Sequence, residues 1–141
     1  MNEIFLVLAV LSTVITAQVR PKQWVAVTGK VNCNGVPAKG VKVKIYDVDD
    51  WTLDDKVAEV VTGEDGVFHL KGYTYEITTM DPKLNIYHNC NALTPICYIK
   101  FNVLLPKSIV NREGEPTQEY DAGTFSLDNT FPGQGTDCLN K

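Results

Sequence analysis

Between Val25 and Val48 apolar and polar residues alternate with a period of two, broken once in the middle. Val25, Val27, Gly29, Val31 and Cys33 fall on one face of an extended chain, and Ala26, Thr28, Lys30 and Asn32 on the other. After Asn34-Gly35-Val36-Pro37 the alternation resumes, with Val41, Val43 and Ile45 facing one way and Lys42, Lys44 and Tyr46 the other. This pattern predicts two strands, each with one face on a core and one in water. Gly35 tolerates a positive φ and Pro37 has no amide donor, so the interruption is where the chain is expected to leave one sheet for the facing one.

The rest of the chain continues in short β-prone runs. A strand is predicted from Lys56 to Thr62, then a hairpin at Thr62-Gly63-Glu64-Asp65-Gly66, then a return strand in which Phe68 and Leu70 face inward. His69 lies on the wetter side of that strand and is given no role. The segment from Gly72 to Asp81 reads as an extended connection, because Pro82 disfavours helix at Asp81. Two further strands place Leu84, Ile86, His88 and Cys90 on one face, and Cys97, Ile99, Phe101, Val103 and Leu105 on another. Pro106 ends the second of these, and Lys107 to Glu119 reads as a mobile polar excursion. Tyr120 to Leu127 is the last predicted strand, and the tail beyond it depends on Cys138 for order. The expected fold is an all-β, two-sheet sandwich of about seven to eight strands.

Residues 1–17 have a different character. Ile4 to Ile15 is almost continuously apolar and Thr16-Ala17-Gln18 offers a small-residue cleavage site, so residues 1–17 are expected to be a signal peptide and 18–141 a single exported domain. The apolar run is short for a bilayer span and no second one follows, so no transmembrane segment is expected. A formal charge of −4 gives no electrostatic footprint for nucleic acid. Four cysteines in a small exported chain favour two disulfides over a zinc site, since Cys-x-x-Cys spacing is absent. Three connectivities are possible. If the strands carrying Cys90 and Cys97 lie in opposite sheets, those two meet across the sandwich, and Cys33 with Cys138 follows by elimination.

Catalytic chemistry is sparse. There is no Gly-rich phosphate cradle, and His88, the best catalytic candidate, sits on a core-facing strand where a hydrogen-bonded structural imidazole is the simpler reading. The acidic stretch Asp47 to Asp55 fails the helix-loop-helix calcium pattern, with Thr52 and Ala58 where Gly and Glu are needed, and is read as a solvated loop. No metal or cofactor is expected. The outward lysines Lys30, Lys42 and Lys44, with Lys100, are candidate binding residues for anionic lipid head groups or acidic glycans. The acidic loop around Trp51 and the stretch from Lys107 to Glu119 are alternative places for a protein partner to bind.

The stretches VTGKVNCNGVPAKGVKVKIYD, TGEDGVFHLKG, TTMDPKLNIYHNCN and DAGTFSLDNTFPG, with Asp137-Cys138 near the end, together resemble the nematode transthyretin-like family. The resemblance implies a secreted, disulfide-bonded sandwich that binds an extracellular protein, or a lipid or receptor at the cell surface. Some members are linked to lipid recognition and clearance of dying cells, which suits a bridging or signalling factor. Two relatives of the fold suggest other activities. A hydroxyisourate hydrolase resembles this chain in its Gly-x-Pro-Ala turn, but its first-strand histidine and Tyr-Arg-Gly-Ser ending are missing here. A carrier of a small hydrophobic ligand, as in the thyroid-hormone carrier, would need a tetrameric channel that the linker and the Cys138 tail would alter.

Overall fold

The computed structural model describes residues 20–49 and 53–139. The expected leader, residues 1–17, lies outside them, as do Asp50, Trp51 and Thr52 of the acidic loop. The described residues form nine strands: β1 (Lys22–Cys33), β2 (Val36–Pro37), β3 (Lys42–Asp47), β4 (Asp55–Val61), β5 (Val67–Tyr75), β6 (Pro82–His88), β7 (Tyr98–Leu104), β8 (Tyr120–Ser126) and β9 (Gly135–Asp137). Lys107–Ile109 makes one 3₁₀ turn. In the first sheet β1 pairs antiparallel with β5 and β2 and parallel with β8. The second sheet is antiparallel throughout, in the order β4-β3-β6-β7-β9.

The two sheets stack as the period-two pattern requires. Val25, Val27 and Val31 of β1 and Phe68 and Leu70 of β5 meet Val43, Ile45, Leu84, Ile86 and Phe101 of the second sheet in one buried core. Each such side chain contributes roughly 1.5–3 kcal/mol relative to exposure. Gly29 belongs to the inward set for a steric reason: a Cβ there would sit 2.3 Å from the Phe68 ring. Phe101 and Phe131 stack with centroids 3.9 Å apart and seal the core toward the tail.

The first two sheet crossings differ from the expected positions. Asn34 and Gly35 have φ of 52° and 80°, and Cys33 pairs with Val36, so the Asn-Gly pair makes a two-residue hairpin that keeps the chain in the first sheet. The crossing follows β2, at residues 38–41. Conversely, the Asp65-Gly66 turn is no hairpin. β4 and β5 belong to different sheets, and the turn carries the chain between them. Gly66 packs flush on the end of β1, its carbonyl accepting the Val31 amide at 2.9 Å and its φ at 67°, and a Cβ would lie 2.4 Å from the Val31 oxygen. A local Asp-Gly signal is overridden by a tertiary contact. Thr62 Oγ1 joins the two crossings, donating to the Ala38 carbonyl at 2.7 Å and accepting the Val41 amide at 3.0 Å.

The disulfides correct the expected pairs Cys90–Cys97 and Cys33–Cys138. The bonds are Cys33–Cys90 and Cys97–Cys138, and no cysteine is free. The premise of opposite sheets fails, because β6 and β7 are neighbours in one sheet, paired through His88 and Ile99. Cys90 therefore reaches across the core to the end of β1, while Cys97 meets the tail where β9 lies along β7, with Tyr98 opposite Asp137. Beside the first bond Asn34 and Asn91, both with positive φ, exchange side-chain amide hydrogen bonds of 2.9 and 3.1 Å.

Residues 107–119 form a strap over the outer face of the first sheet. Trp24 and Asn111 exchange backbone hydrogen bonds of 2.8 and 2.9 Å, His69 Nδ1 lies 2.7 Å from Glu119 Oε2, Lys71 pairs with Glu115, and Arg112 donates to Thr79 Oγ1. The polar composition that suggested an excursion instead supplies pairs to strands far away in sequence.

Candidate functional site: the outer face of the five-stranded sheet

Period-two alternation in β3, β6 and β7 turns Lys42, Lys44 and Tyr46, then Lys83, Asn85 and Tyr87, then Lys100 and Asn102 to the outer side of the second sheet. The register sets Lys42 beside Tyr87 and Tyr87 beside Lys100, Lys44 beside Asn85, and Tyr46 beside Lys83. Across the strands basic and aromatic residues thus alternate in two rows, Lys42, Tyr87 and Lys100 in one and Tyr46 and Lys83 in the other. Lys44 Nζ lies 4.9 Å and Lys100 Nζ 5.6 Å from the centroid of the Tyr87 ring, and Lys42 Nζ 5.5 Å from that of Tyr98. Cation–π contacts of this kind hold the ammonium groups over flat rings, at roughly 0.5–2 kcal/mol each.

The face buries part of itself. Tyr87 is 1 % exposed, Asn85 4 % and Lys44 6 %, although all three lie on the outward side of the sheet. Burial pushes the Tyr87 phenol up to about 12, so it stays protonated, with the Asn85 amide donating to its oxygen at 3.3 Å. Burial also lowers the pKa of Lys44, against the attraction of Glu59 at 3.8 Å. Asn85 Oδ1 is buried with no hydrogen-bond partner among the described residues, and such an acceptor costs roughly 1–3 kcal/mol.

A concavity of about 490 Å³ opens over this floor, lined by Tyr46, Leu53, Asp54, Lys83, Asn85, Tyr87 and Lys100. The end of the acidic loop forms its rim. Lys83 Nζ holds Asp54 Oδ2 at 2.8 Å, and Asp54 Oδ1 accepts the Asp49 amide at 3.1 Å. The hydrogen bond from Lys83, then that from the Asp49 amide, keeps the Asp54 carboxyl below its usual range. Among the described residues no group of three or more His, Cys, Asp or Glu is placed to hold a metal ion.

Of the lysines singled out from the sequence, Lys42 and Lys44 come together here, with Lys100. Lys30 does not. It lies on β1, opposite Val67 and Thr124 in the first sheet, and so points away from the other side of the sandwich. Lys83, Asn85 and Tyr87 are not evident from the inward residues of this strand, Leu84, Ile86 and His88. Their signal was the complementary set of the same alternation. His88 is 2 % exposed, its Nδ1 accepts the Cys90 amide at 3.1 Å, its Nε2 is buried with no partner among the described residues, and burial lowers its pKa and so favours the neutral imidazole.

Two stacked β-sheets, one disulfide between them and one pinning the tail define a small cross-linked sandwich. The model of the TTR-52 transthyretin-like family matches residues 28–106. Transthyretin-like protein 5 of Caenorhabditis elegans is 44 % identical over 119 residues, covering 84 % of this chain and 86 % of that protein. Transthyretin-like proteins 2 and 33 of the same nematode are each 38 % identical, over 84 % of both chains in each case. The chain belongs to the transthyretin-like family. Among solved structures, a 9R-lipoxygenase from Cyanothece aligns with 74 % of this chain and 16 % of its own at 19 % identity and a TM-score of 0.42. No helix among the described residues is long and apolar enough to cross a membrane.

Proposed function

We propose that this protein is exported and acts outside the cell as a non-catalytic recognition module, engaging an anionic partner at the cell surface through the lysine–tyrosine face of its five-stranded sheet. The observation that carries this reading is local charge. On a chain of net charge −4, Lys42, Lys44, Lys56, Lys83 and Lys100 gather on one sheet face where, among the described residues of its strands and rim, Asp54, Glu59 and Asp137 are the interspersed carboxylates. A surface of that sign raises the local concentration of anions and speeds encounter with them. The two disulfides suit an oxidising compartment. The buried, neutral His88 supports a binding rather than a catalytic role.

Anionic lipid is the first partner to test. Flotation with phosphatidylcholine vesicles, with and without an anionic lipid, should show binding only when the anionic lipid is present, and the double variant Lys42→Glu, Lys100→Glu should lose about tenfold or more, since each lysine near such a surface is worth roughly 1 kcal/mol. Equal binding by the variant, or binding to neutral vesicles alone, would remove this face from the reading.

A further inference from the structure

The concavity between the acidic-loop rim and the strands β6 and β7 has a donor–acceptor array more selective than a positively charged surface requires. We infer that it is a subsite for a single acidic sugar residue, a uronate or sialate carried by a cell-surface glycan; this rests on the proposed anion-binding face and names its ligand chemistry.

Three observations lead there. First, the groups differ in kind. Lys100 has no ion pair of its own among the described residues and offers an ammonium to a carboxylate. Asn85 Oδ1 and the Asp54 carboxylate accept, and so call for hydroxyl or amide donors on the ligand. A simple carboxylate such as acetate has acceptors only, and would leave the Asn85 oxygen as it stands. Acidic sugars carry a carboxylate and hydroxyl donors on one rigid ring.

Second, the shape suits a ring. The space of about 490 Å³ is walled by Tyr46 and Leu53, against whose apolar surface the C–H face of a sugar can lie, with the buried Tyr87 beneath as its floor. Third, the array is held in place before any ligand arrives. Tyr87 and Asn85 are almost fully buried and hydrogen-bonded to each other, and Lys83 is fixed on Asp54, so little ordering remains when a ligand enters.

The test uses the disulfide-intact, ¹⁵N-labelled protein and four probes: glucuronate, N-acetylneuraminate, glucose and acetate. The acidic sugars are expected to move the amide signals of residues in β6, β7 and the loop at residues 53–54 saturably, with glucose and acetate producing far weaker shifts. Lys100→Gln should weaken acidic-sugar binding about tenfold while leaving the spectrum of the unliganded fold in place, the loss of one charge-assisted hydrogen bond. Acetate matching the acidic sugars, shifts that map elsewhere, or full binding by Lys100→Gln would each overturn the subsite. Vesicle binding run in parallel separates the two proposals. No sugar response with intact binding to anionic vesicles overturns only the subsite, whereas failure of both overturns the anion-binding face as well.

Discussion

The two outer faces of this sandwich begin from the same polar half of a period-two pattern and end in different environments. On the first sheet the strap at residues 107–119 lies across Ala26, His69 and Lys71, while Tyr73 stays 45 % exposed at its edge. On the second sheet no strap crosses among the described residues, yet Tyr87 is only 1 % exposed. The difference comes from the neighbours across the strands. Around Tyr87 stand Lys44 and Lys100, with Nζ 4.9 and 5.6 Å from the ring centroid, and Tyr98, with its ring centroid 6.3 Å away. Around Tyr73 stand Trp24 and Tyr75, with centroids 4.8 and 5.8 Å away, and Lys22 Nζ 3.9 Å over the ring. An outward position in the pattern therefore does not mean an exposed one.

The largest expected effect tests that contrast directly. Tyr87→Ala should destabilise the fold by about 3–5 kcal/mol, as for a core aromatic, and Tyr73→Ala by about 1 kcal/mol or less, as for a surface residue. Chemical denaturation of the two variants measures both. Near-equal losses would mean that the Tyr87 site is no more core-like than the strapped side.

A smaller effect is expected where the two sheets meet at one rim. Asp47, at the end of β3, and Glu76, just beyond β5, both have raised pKa values, in each case first from burial; the hydrogen bond between their side chains raises that of Glu76 and, as an opposing effect, lowers that of Asp47. Because the folded values lie above the unfolded ones, the stability that these two groups contribute is complete below the ordinary carboxylate range and is lost as pH rises through the raised values. Asp47→Asn keeps an oxygen for the Asp81 amide, which Asp47 Oδ1 now accepts at 2.9 Å, and removes one of two like charges. It should stabilise the protein at neutral pH by up to about 1 kcal/mol, the order of an unfavourable like-charge pair, and bring no gain near pH 4. Melting curves of both proteins across that range give the sign. A uniform gain at every pH would disprove the linkage.

Lys44→Met probes the open face more gently. The ammonium group there is desolvated and lies 3.8 Å from Glu59, and because desolvation offsets much of what a buried ion pair gains, an apolar replacement of similar length should change stability by no more than about 1 kcal/mol in either direction. A loss well above that would make the ion pair a structural requirement of the face.

How much of this was legible in the sequence follows from the range of each interaction. The inward sets Val25, Val27 and Val31, and Val43 and Ile45, were readable because burial repeats along a single strand. What joins to what was less so. The Asn34-Gly35 and Asp65-Gly66 turns have equally good local chemistry, and only packing on β1 makes the second a sheet crossing. The disulfides were misassigned for a related reason: facing direction was legible, but sheet membership was not. For the candidate site, Lys42, Lys44 and Lys100 were visible as outward residues, whereas separating Lys30 from them required knowing that β1 and β3 lie in different sheets. The Asn85 and Tyr87 floor is a property of pairing across three strands, which no single strand contains.

The smallest expected effect concerns the strap, and it asks which of its attachments matter. Its side-chain contacts His69–Glu119 and Lys71–Glu115 join exposed groups, and polar pairs of that kind are worth roughly 0–1 kcal/mol. The backbone exchange between Trp24 and Asn111 is different, since it extends the ladder on the edge of β1 and satisfies main-chain groups of both partners. Glu119→Gln should therefore cost less than about 0.5 kcal/mol on denaturation and leave the slow hydrogen exchange of the Asn111 amide unchanged. Fast exchange at Asn111 in that variant would mean that charge rather than backbone pairing closes the strap, making the cover of the first sheet as sensitive to salt as the lysine face of the second.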